Sequence, residues 1–263
     1  MKNTVVVKKD DNDKFYTRID LAKKYLSIIK EKVCSVTLWI EPSAGDGSFY
    51  KILPANKKGY DLYPEFDGVI QQDFLTTDDS TPDQKIVYVG NPPFGTSANL
   101  AIKFFNHCAS NKNASHIAFV VPKTFKKISV HNKLSMDFGV IYEEDLPDKS
   151  FVLNGEPYDV PCVFQIWERL KVQREKIKPP RNKWFELVSP SDAEFCVRRV
   201  GGRAGQVLDG LDHSKTSTYF IKPKVKGLKE TIASLDFDPY VNATVGVRSL
   251  SITEILIELD KLN

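Results

Sequence analysis

The apolar run Ile86-Val87-Tyr88-Val89-Gly90 stops abruptly at Asn91-Pro92-Pro93-Phe94. A short segment of this kind reads as a buried strand ending in a sharp turn. Two consecutive prolines fix φ and donate no backbone hydrogen bonds, so the loop is stiff. They leave the Pro92 carbonyl and the Asn91 side-chain oxygen free to face a pocket. Two such acceptors can engage both hydrogens of an exocyclic NH2 group, and Phe94 can offer its ring a flat face. The alternative is a rigid turn after a strand, because turn prolines are common.

A second apolar run, Val36-Thr37-Leu38-Trp39-Ile40, closes in Glu41-Pro42-Ser43-Ala44-Gly45-Asp46-Gly47-Ser48-Phe49, with helix-compatible residues from Ser48. A strand, a glycine-bearing turn and a helix form the arrangement in which backbone approaches a cofactor closely and N–H groups face it. About twenty residues on, Lys57-Lys58-Gly59-Tyr60-Asp61-Leu62 predicts a short strand ending in an acid, the place where ribose hydroxyls are often held in doubly wound sheets. Dinucleotide-binding folds share this pattern, so the two segments alone do not separate a nicotinamide enzyme from a methyltransferase.

Together these motifs resemble the S-adenosylmethionine-dependent N6-adenine methyltransferases of the class I fold, over roughly residues 14–168. The resemblance implies S-adenosyl-L-methionine as cofactor and a mainly parallel, doubly wound α/β sheet of seven strands. It implies catalytic roles for Asn91, Pro92, Pro93 and Phe94. Asp13-Lys14-Phe15-Tyr16-Thr17-Arg18 looks like the family's Phe-x-Thr-Pro segment, with Arg18 in place of proline, which puts Tyr16 and Thr17 at the methionine end. Glu41, Ala44, Gly45, Gly47, Asp61 and Leu62 would line the cofactor. Asp73 and Phe74, from Gln72-Asp73-Phe74-Leu75, would flank its adenine. The order of the motifs resembles the gamma arrangement of amino-methyltransferases. Phe151, between two late strands, is the implied second aromatic wall, or else a plug of the loop onto the core.

Composition fits an ordinary globular chain: 263 residues, 41% hydrophobic and 27% charged. No apolar stretch of about 18 residues appears, so a membrane span is not expected, nor does the start read as a secretory signal. Cys34, Cys108, Cys162 and Cys196 are scattered and read as reduced thiols of a cytoplasmic protein. His107, His116, His131 and His213 show no metal-ligand spacing, so no metal is expected. The net charge of +3 is unevenly spread, because Arg169 to Glu230 carries 15 Lys/Arg against 7 Asp/Glu. A basic stretch behind a modestly acidic body suggests a surface for a polyanion, or a solvated linker. Arg198, Arg199 and Arg203, with Lys176, Lys178, Arg181 and Lys183, are the candidate phosphate contacts.

Apolar periodicity predicts helices over 19–33 and 98–109, and strands near 36–40, 57–62, 68–71, 85–90 and 115–121. This alternation argues for a parallel doubly wound core with the catalytic loop at a strand's carboxyl end. Strands follow over 138–146 and 160–167, joined by what reads as a long loop. Three parts are expected: a methyltransferase domain over 1–168 with a loose polar start at 1–12, a basic linker over 169–183, and a C-terminal accessory or target-recognition region over 184–263. In the last, 195–200 and 217–221 read as strands, and 228–235 and 251–262 as helices. Nucleic acid, DNA or RNA, is the expected partner. Two rivals stand beside it: a glutamine methyltransferase, because a side-chain amide is also a planar NH2, and a non-catalytic methyltransferase-like subunit.

Overall fold

The computed structural model describes residues 15–80 and 82–262. The segment 1–12 read as loose, and Asp13 and Lys14 of the N-terminal motif, lie outside the described residues. Contacts gather the chain into two units, residues 1–122 with 133–174, and residues 123–132 with 175–263.

The first unit runs β1 (Tyr16–Thr17), α1 (Ile19–Lys32), β2 (Leu38–Glu41), β3 (Lys57–Asp61), β4 (Ile70–Gln71), β5 (Ile86–Gly90), α2 (Asn99–Ser110), β6 (Ala114–Pro122), β7 (Phe138–Asp145), β8 (Phe151–Leu153), β9 (Glu156–Tyr158) and β10 (Cys162–Arg169). Seven of these strands form one sheet in the order β4-β3-β2-β5-β6-β10-β7. Pairing is parallel from β4 to β6, and β10 runs antiparallel to both of its neighbours. This is the mainly parallel seven-stranded sheet expected. Strand alternation assigns the two faces. Val87, Val89, Phe164 and Ile166 join Leu21, Tyr25, Leu26 and Ile29 of α1 in one core cluster. On the opposite face Trp167 meets Phe105 of α2 at a centroid distance of 5.0 Å, and Tyr88 meets Phe74 at 5.8 Å. Helices therefore cover both faces. Each fully buried large side chain contributes roughly 1.5–3 kcal/mol of transfer free energy.

Three local expectations fail for identifiable reasons. No helix follows Ser48; there is one 3₁₀ turn, Tyr50–Ile52, and Leu53 is already extended at φ −62°, ψ 151°. Pro54 comes next, and the residue before a proline is disfavoured in helical conformation. The supposed long loop after β7 contains the β8–β9 hairpin, which pairs with β1 to make a separate three-stranded sheet. Asn154 and Gly155 sit at its tip with φ of 51° and 82°, the left-handed pair that a tight two-residue hairpin turn requires. Finally, Arg169 and Arg174 are not free basic charge. Arg169 donates to the carbonyls of Ala109, Asn111 and Ala114 at 2.7–2.8 Å, and Arg174 donates to those of Leu134, Ser135 and Phe138.

The second unit is a four-stranded antiparallel sheet, β11 (Phe185–Leu187), β12 (Phe195–Arg198), β13 (Val207–Leu208) and β14 (Thr218–Pro223), in the order β11-β14-β12-β13. With it come α3 (Ile128–His131), α4 (Leu228–Ser234), α5 (Asp238–Val241) and α6 (Ile252–Asp260). Phe195, Val197 and Ile221 bury against Leu228, Ile232, Ile255 and Leu259. Ser251 starts α6 with a capping box, its hydroxyl accepting from the Glu254 N–H while the Glu254 carboxylate accepts from the Ser251 N–H. Glu254 also closes a buried ion pair: Lys127 Nζ lies 3.3 Å from its Oε1 and 2.8 Å from the Ser249 carbonyl. Burial pulls the Lys127 pKa down, and Glu254 opposes that shift.

Removing one partner of such a pair strands the other charge, so Lys127→Met should destabilise the second unit by roughly 3–5 kcal/mol. Adding Glu254→Gln should restore most of the loss. Chemical denaturation of the two variants checks both statements, and a single variant as stable as the parent would contradict the assignment.

Candidate functional site

Parallel order reverses between β2 and β5, the point where open α/β sheets leave a crevice beyond the strands' carboxyl ends. A cavity of about 310 Å³ lies there, within the first unit. Its lining comes from the residues that follow β2, β3, β4 and β5 and from β1.

The β2 end is shaped by packing against neighbours. Gly45 has φ 51°, and a Cβ there would lie 2.8 Å from the Tyr16 ring. Its N–H donates to Asp61 Oδ2 at 2.8 Å, which fixes the turn to the end of β3. Asp61 Oδ1 accepts from the Tyr63 N–H, also at 2.8 Å. Each carboxylate oxygen thus keeps lone-pair capacity for a further donor. Tyr16 in turn donates to Glu65 Oε1 at 2.7 Å. At β5, Gly90 has φ 149°, and a Cβ there would meet Glu41 Cγ at 3.1 Å. That glycine gives the Glu41 side chain its room.

Glu41 is 2% exposed, and its Oε2 has no hydrogen-bond partner. Burial pushes its carboxyl well above the ordinary range; a hydrogen bond from the Tyr50 backbone opposes this, and Asp46 and Asp61 add to it. Thr17 Oγ1 and Asn91 Oδ1 are likewise buried without a partner. Asn91 donates through Nδ2 to the Phe15 carbonyl at 2.8 Å, so its amide is held at one end only. Three orphaned polar atoms around one cavity are atypical of a finished core, in which buried polar groups find partners. They are what a polar ligand would satisfy.

Of the cofactor residues expected from sequence, Tyr16, Thr17, Glu41, Ala44, Gly45 and Asp61 line this cavity, as do Leu62, Asp73 and Phe74. So do Asn91, Pro92, Pro93 and Phe94. Leu62 is 55% exposed, whereas Phe74 is buried among Tyr60, Tyr88, Phe104 and His107. Asp73 accepts from the Leu75 N–H. Gly47 is not among the lining residues: its φ is 82°, and a Cβ would strike the Phe66 ring at 2.9 Å, so the turn and that ring require glycine. Phe151 does not line the cavity either. It is fully buried in the first unit's core, in one cluster with Leu21, Tyr25, Leu26 and Ile29 of α1, while its backbone pairs with Thr17 of β1. Phe15, Glu65 and Gly90 shape the site without a sequence signal of their own. Phe15 stands in the quoted N-terminal motif, and Gly90 directly precedes Asn91.

The candidate phosphate contacts belong to the second unit. Arg198 donates to Ser217 Oγ at 2.6 Å, while the Arg199 guanidinium lies 5.6 Å from the Tyr219 ring centroid. Arg203 is exposed in the turn between β12 and β13.

Glu41 yields a pH-dependent test. Its folded pKa is raised, so between the ordinary carboxylate value and the raised one the native state binds more protons than the unfolded state. Its stability therefore falls as pH rises through that window. Glu41→Gln should raise the Tm of the ligand-free protein, by a margin that widens from pH 5 to pH 8. A Tm difference that stays flat with pH would mean that the carboxylate carries no burial penalty.

No family model matches the chain, and no curated protein matches it in sequence. Among solved structures it is similar to the 23S rRNA methyltransferase ErmE, over 60% of this chain and 71% of that one, at 13% identity and a TM-score of 0.44. It is also similar to a candidate RNA methyltransferase from Pyrococcus horikoshii, over 62% and 91%, at 12% identity and a TM-score of 0.48. A type I restriction-modification methyltransferase subunit from Streptococcus thermophilus aligns over 61% and 46%, at 15% identity and 0.42. At such identities no residue's role carries over.

Proposed function

We propose that this chain binds S-adenosyl-L-methionine and transfers its methyl group to the N6 amine of adenine in nucleic acid, with DNA first and RNA as the alternative. The observation that carries the reading is Asn91: its amide nitrogen is tied to Phe15, and its oxygen is buried, without a partner, at the edge of the cavity. An acceptor so placed lacks a donor, and an aryl NH2 supplies one.

The residues around the cavity fit the cofactor. Glu41 and Thr17 offer an unmatched carboxylate oxygen and hydroxyl for its ammonium and carboxylate end. Asp61 can accept from ribose hydroxyls with its remaining lone pairs. Ala44 and Gly45 bring backbone close, and Leu62, Asp73 and Phe74 border the adenine side. When bound, the cofactor supplies an electrophilic methyl on a sulfonium. The protein's part is to make a poor nucleophile attack. Asn91 Oδ1 and the Pro92 carbonyl accept the two amine hydrogens, which favours a pyramidal nitrogen with its lone pair in line. Pro93 keeps that loop stiff. Phe94 offers a ring against the base and recovers part of the unstacking cost if the base leaves a helix. Arg198, Arg199 and Arg203 are the proposed phosphate contacts of the second unit.

The deciding experiment is transfer of labelled methyl to duplex DNA, single-stranded DNA, structured RNA and a glutamine-bearing peptide, with digestion to identify the modified group. Label on adenine N6 is the expected result. Label on the peptide amide alone would replace this reading with a glutamine methyltransferase.

Two variants divide the site. Asn91→Ala should abolish turnover and leave cofactor affinity within about threefold, since the lost contact is to the acceptor. Asp61→Ala should weaken cofactor binding by roughly 1–3 kcal/mol, the loss of charge-assisted hydrogen bonds. Calorimetry and single-turnover kinetics separate the two effects, and near-normal turnover by Asn91→Ala would overturn its role.

A further inference from the structure

The Asn91 side chain has an amide nitrogen and an oxygen of nearly equal size, and something must decide which end enters the cavity. The Phe15 carbonyl does so, because a carbonyl can only accept, and it takes Nδ2 at 2.8 Å. The orientation of the proposed acceptor therefore depends on where one backbone carbonyl sits.

That carbonyl lies just before the short strand β1. After it, Tyr16 and Thr17 pair with Val152 and Phe151 of β8, and the Arg18 N–H donates to the Ser150 carbonyl at 3.0 Å. The Phe15 ring gives a second hold, packing against the first unit's core cluster. Phe15 stacks on Tyr158 with centroids 5.1 Å apart and planes 7° from parallel, and it meets Phe151 edge-on at 6.4 Å. Tyr158 belongs to β9, is 42% exposed, and does not line the cavity. An exposed aromatic on a two-stranded hairpin has little core to serve, yet this one clamps the residue that orients Asn91.

We infer that Tyr158 is a positioning residue for Asn91, acting through the Phe15 ring and carbonyl; this rests on the proposed role of Asn91 as acceptor. The same short stretch carries Thr17 and Tyr16 into the cavity, so the hairpin couples the cofactor-facing strand to the acceptor loop. The ring face does the holding. Phenylalanine at 158 preserves it, whereas leucine keeps apolar cover without a stacking face.

The test uses the full chain with Tyr158→Ala, Tyr158→Leu and Tyr158→Phe. Misplacing a reacting group by a fraction of an ångström is costly, so Ala and Leu should lower kcat by about tenfold or more. KM and cofactor affinity should stay within about threefold, and Phe should stay within about twofold of the parent. A second readout does not depend on methyl transfer. In protein labelled with ¹⁵N-asparagine, the Asn91 side-chain NH2, assigned by its loss in Asn91→Ala, should exchange slowly in the parent and in Tyr158→Phe. In the Ala and Leu variants it should exchange at least about tenfold faster, because its hydrogen bond opens more often. Unchanged exchange in both would overturn the inference, as would a Phe variant that behaves like Ala. If the parent methylates nothing, the proposed function fails, and the exchange measurement still decides whether Tyr158 holds Asn91 in place.

Discussion

Gly90 carries no side chain, and the Glu41 side chain occupies the space. β2 and β5 are neighbours paired in parallel, Leu38 with Ile86 through Ile40 with Tyr88, and both end at the level of the cavity. Whatever leaves these two ends must share one small volume. The chain puts a carboxylate there, and that choice conflicts with folding, since burying an unmatched acid is unfavourable. The rest of the unit offsets the penalty with an all-apolar β5 and with helices on both faces of the sheet. A cation placed against Glu41 would remove the penalty directly, so the buried acid disfavours the ligand-free protein and favours a ligand of positive charge.

The N-terminal strand follows a similar economy of position. Tyr16 closes over Gly45 and is tied to Glu65, Thr17 faces the cavity with its hydroxyl unmatched, and Phe15 turns back to hold Asn91. Three consecutive residues thereby join the turn after β2, the cavity and the loop after β5. A two-residue strand is marginal by itself. It persists here because the β8–β9 hairpin gives it a partner, so a feature distant in sequence determines whether the site is assembled.

The sequence made the strands of the large sheet and their terminal motifs legible, because each couples an apolar run to an adjacent turn, and both signals are local. Glu41 to Phe49, Asp61 and Asn91 to Phe94 were found in this way. The β8–β9 hairpin is not legible although Asn154-Gly155 signals one, since the flanking Phe151-Val152-Leu153 and Glu156-Pro157-Tyr158 are too short and irregular to read as strands. Of the two roles open to Phe151, the aromatic wall and the plug onto the core, its full burial matches the plug. Net charge is a poor guide to free charge here for a different reason. Arg169 and Arg174 add to the basic count of the stretch, but each guanidinium caps several backbone carbonyls, and nothing in local sequence separates a capping arginine from a solvated one. The three unmatched polar atoms are tertiary facts with no sequence signature.

The loop after Phe94 shows how stiffness at the site is sustained from its far side. Gly95, Ser97 and Ala98 all have positive φ, at 65°, 54° and 61°. For the two non-glycine residues that conformation costs on the order of 1–2 kcal/mol each. α2 also begins without a side-chain cap. Compensation comes from packing: Ala98 is buried, and the Phe94 carbonyl accepts from the N–H groups of Leu100 and Ala101 at 3.1 and 3.4 Å. Those bonds tie the aromatic residue's backbone to the first turn of α2, and α2 is anchored on the sheet by Phe104 and Phe105. The prolines restrain the loop from within and the helix restrains it from outside. Asn91, between a fixed strand end and a fixed loop, keeps only its side-chain rotation, which the Phe15 carbonyl then removes.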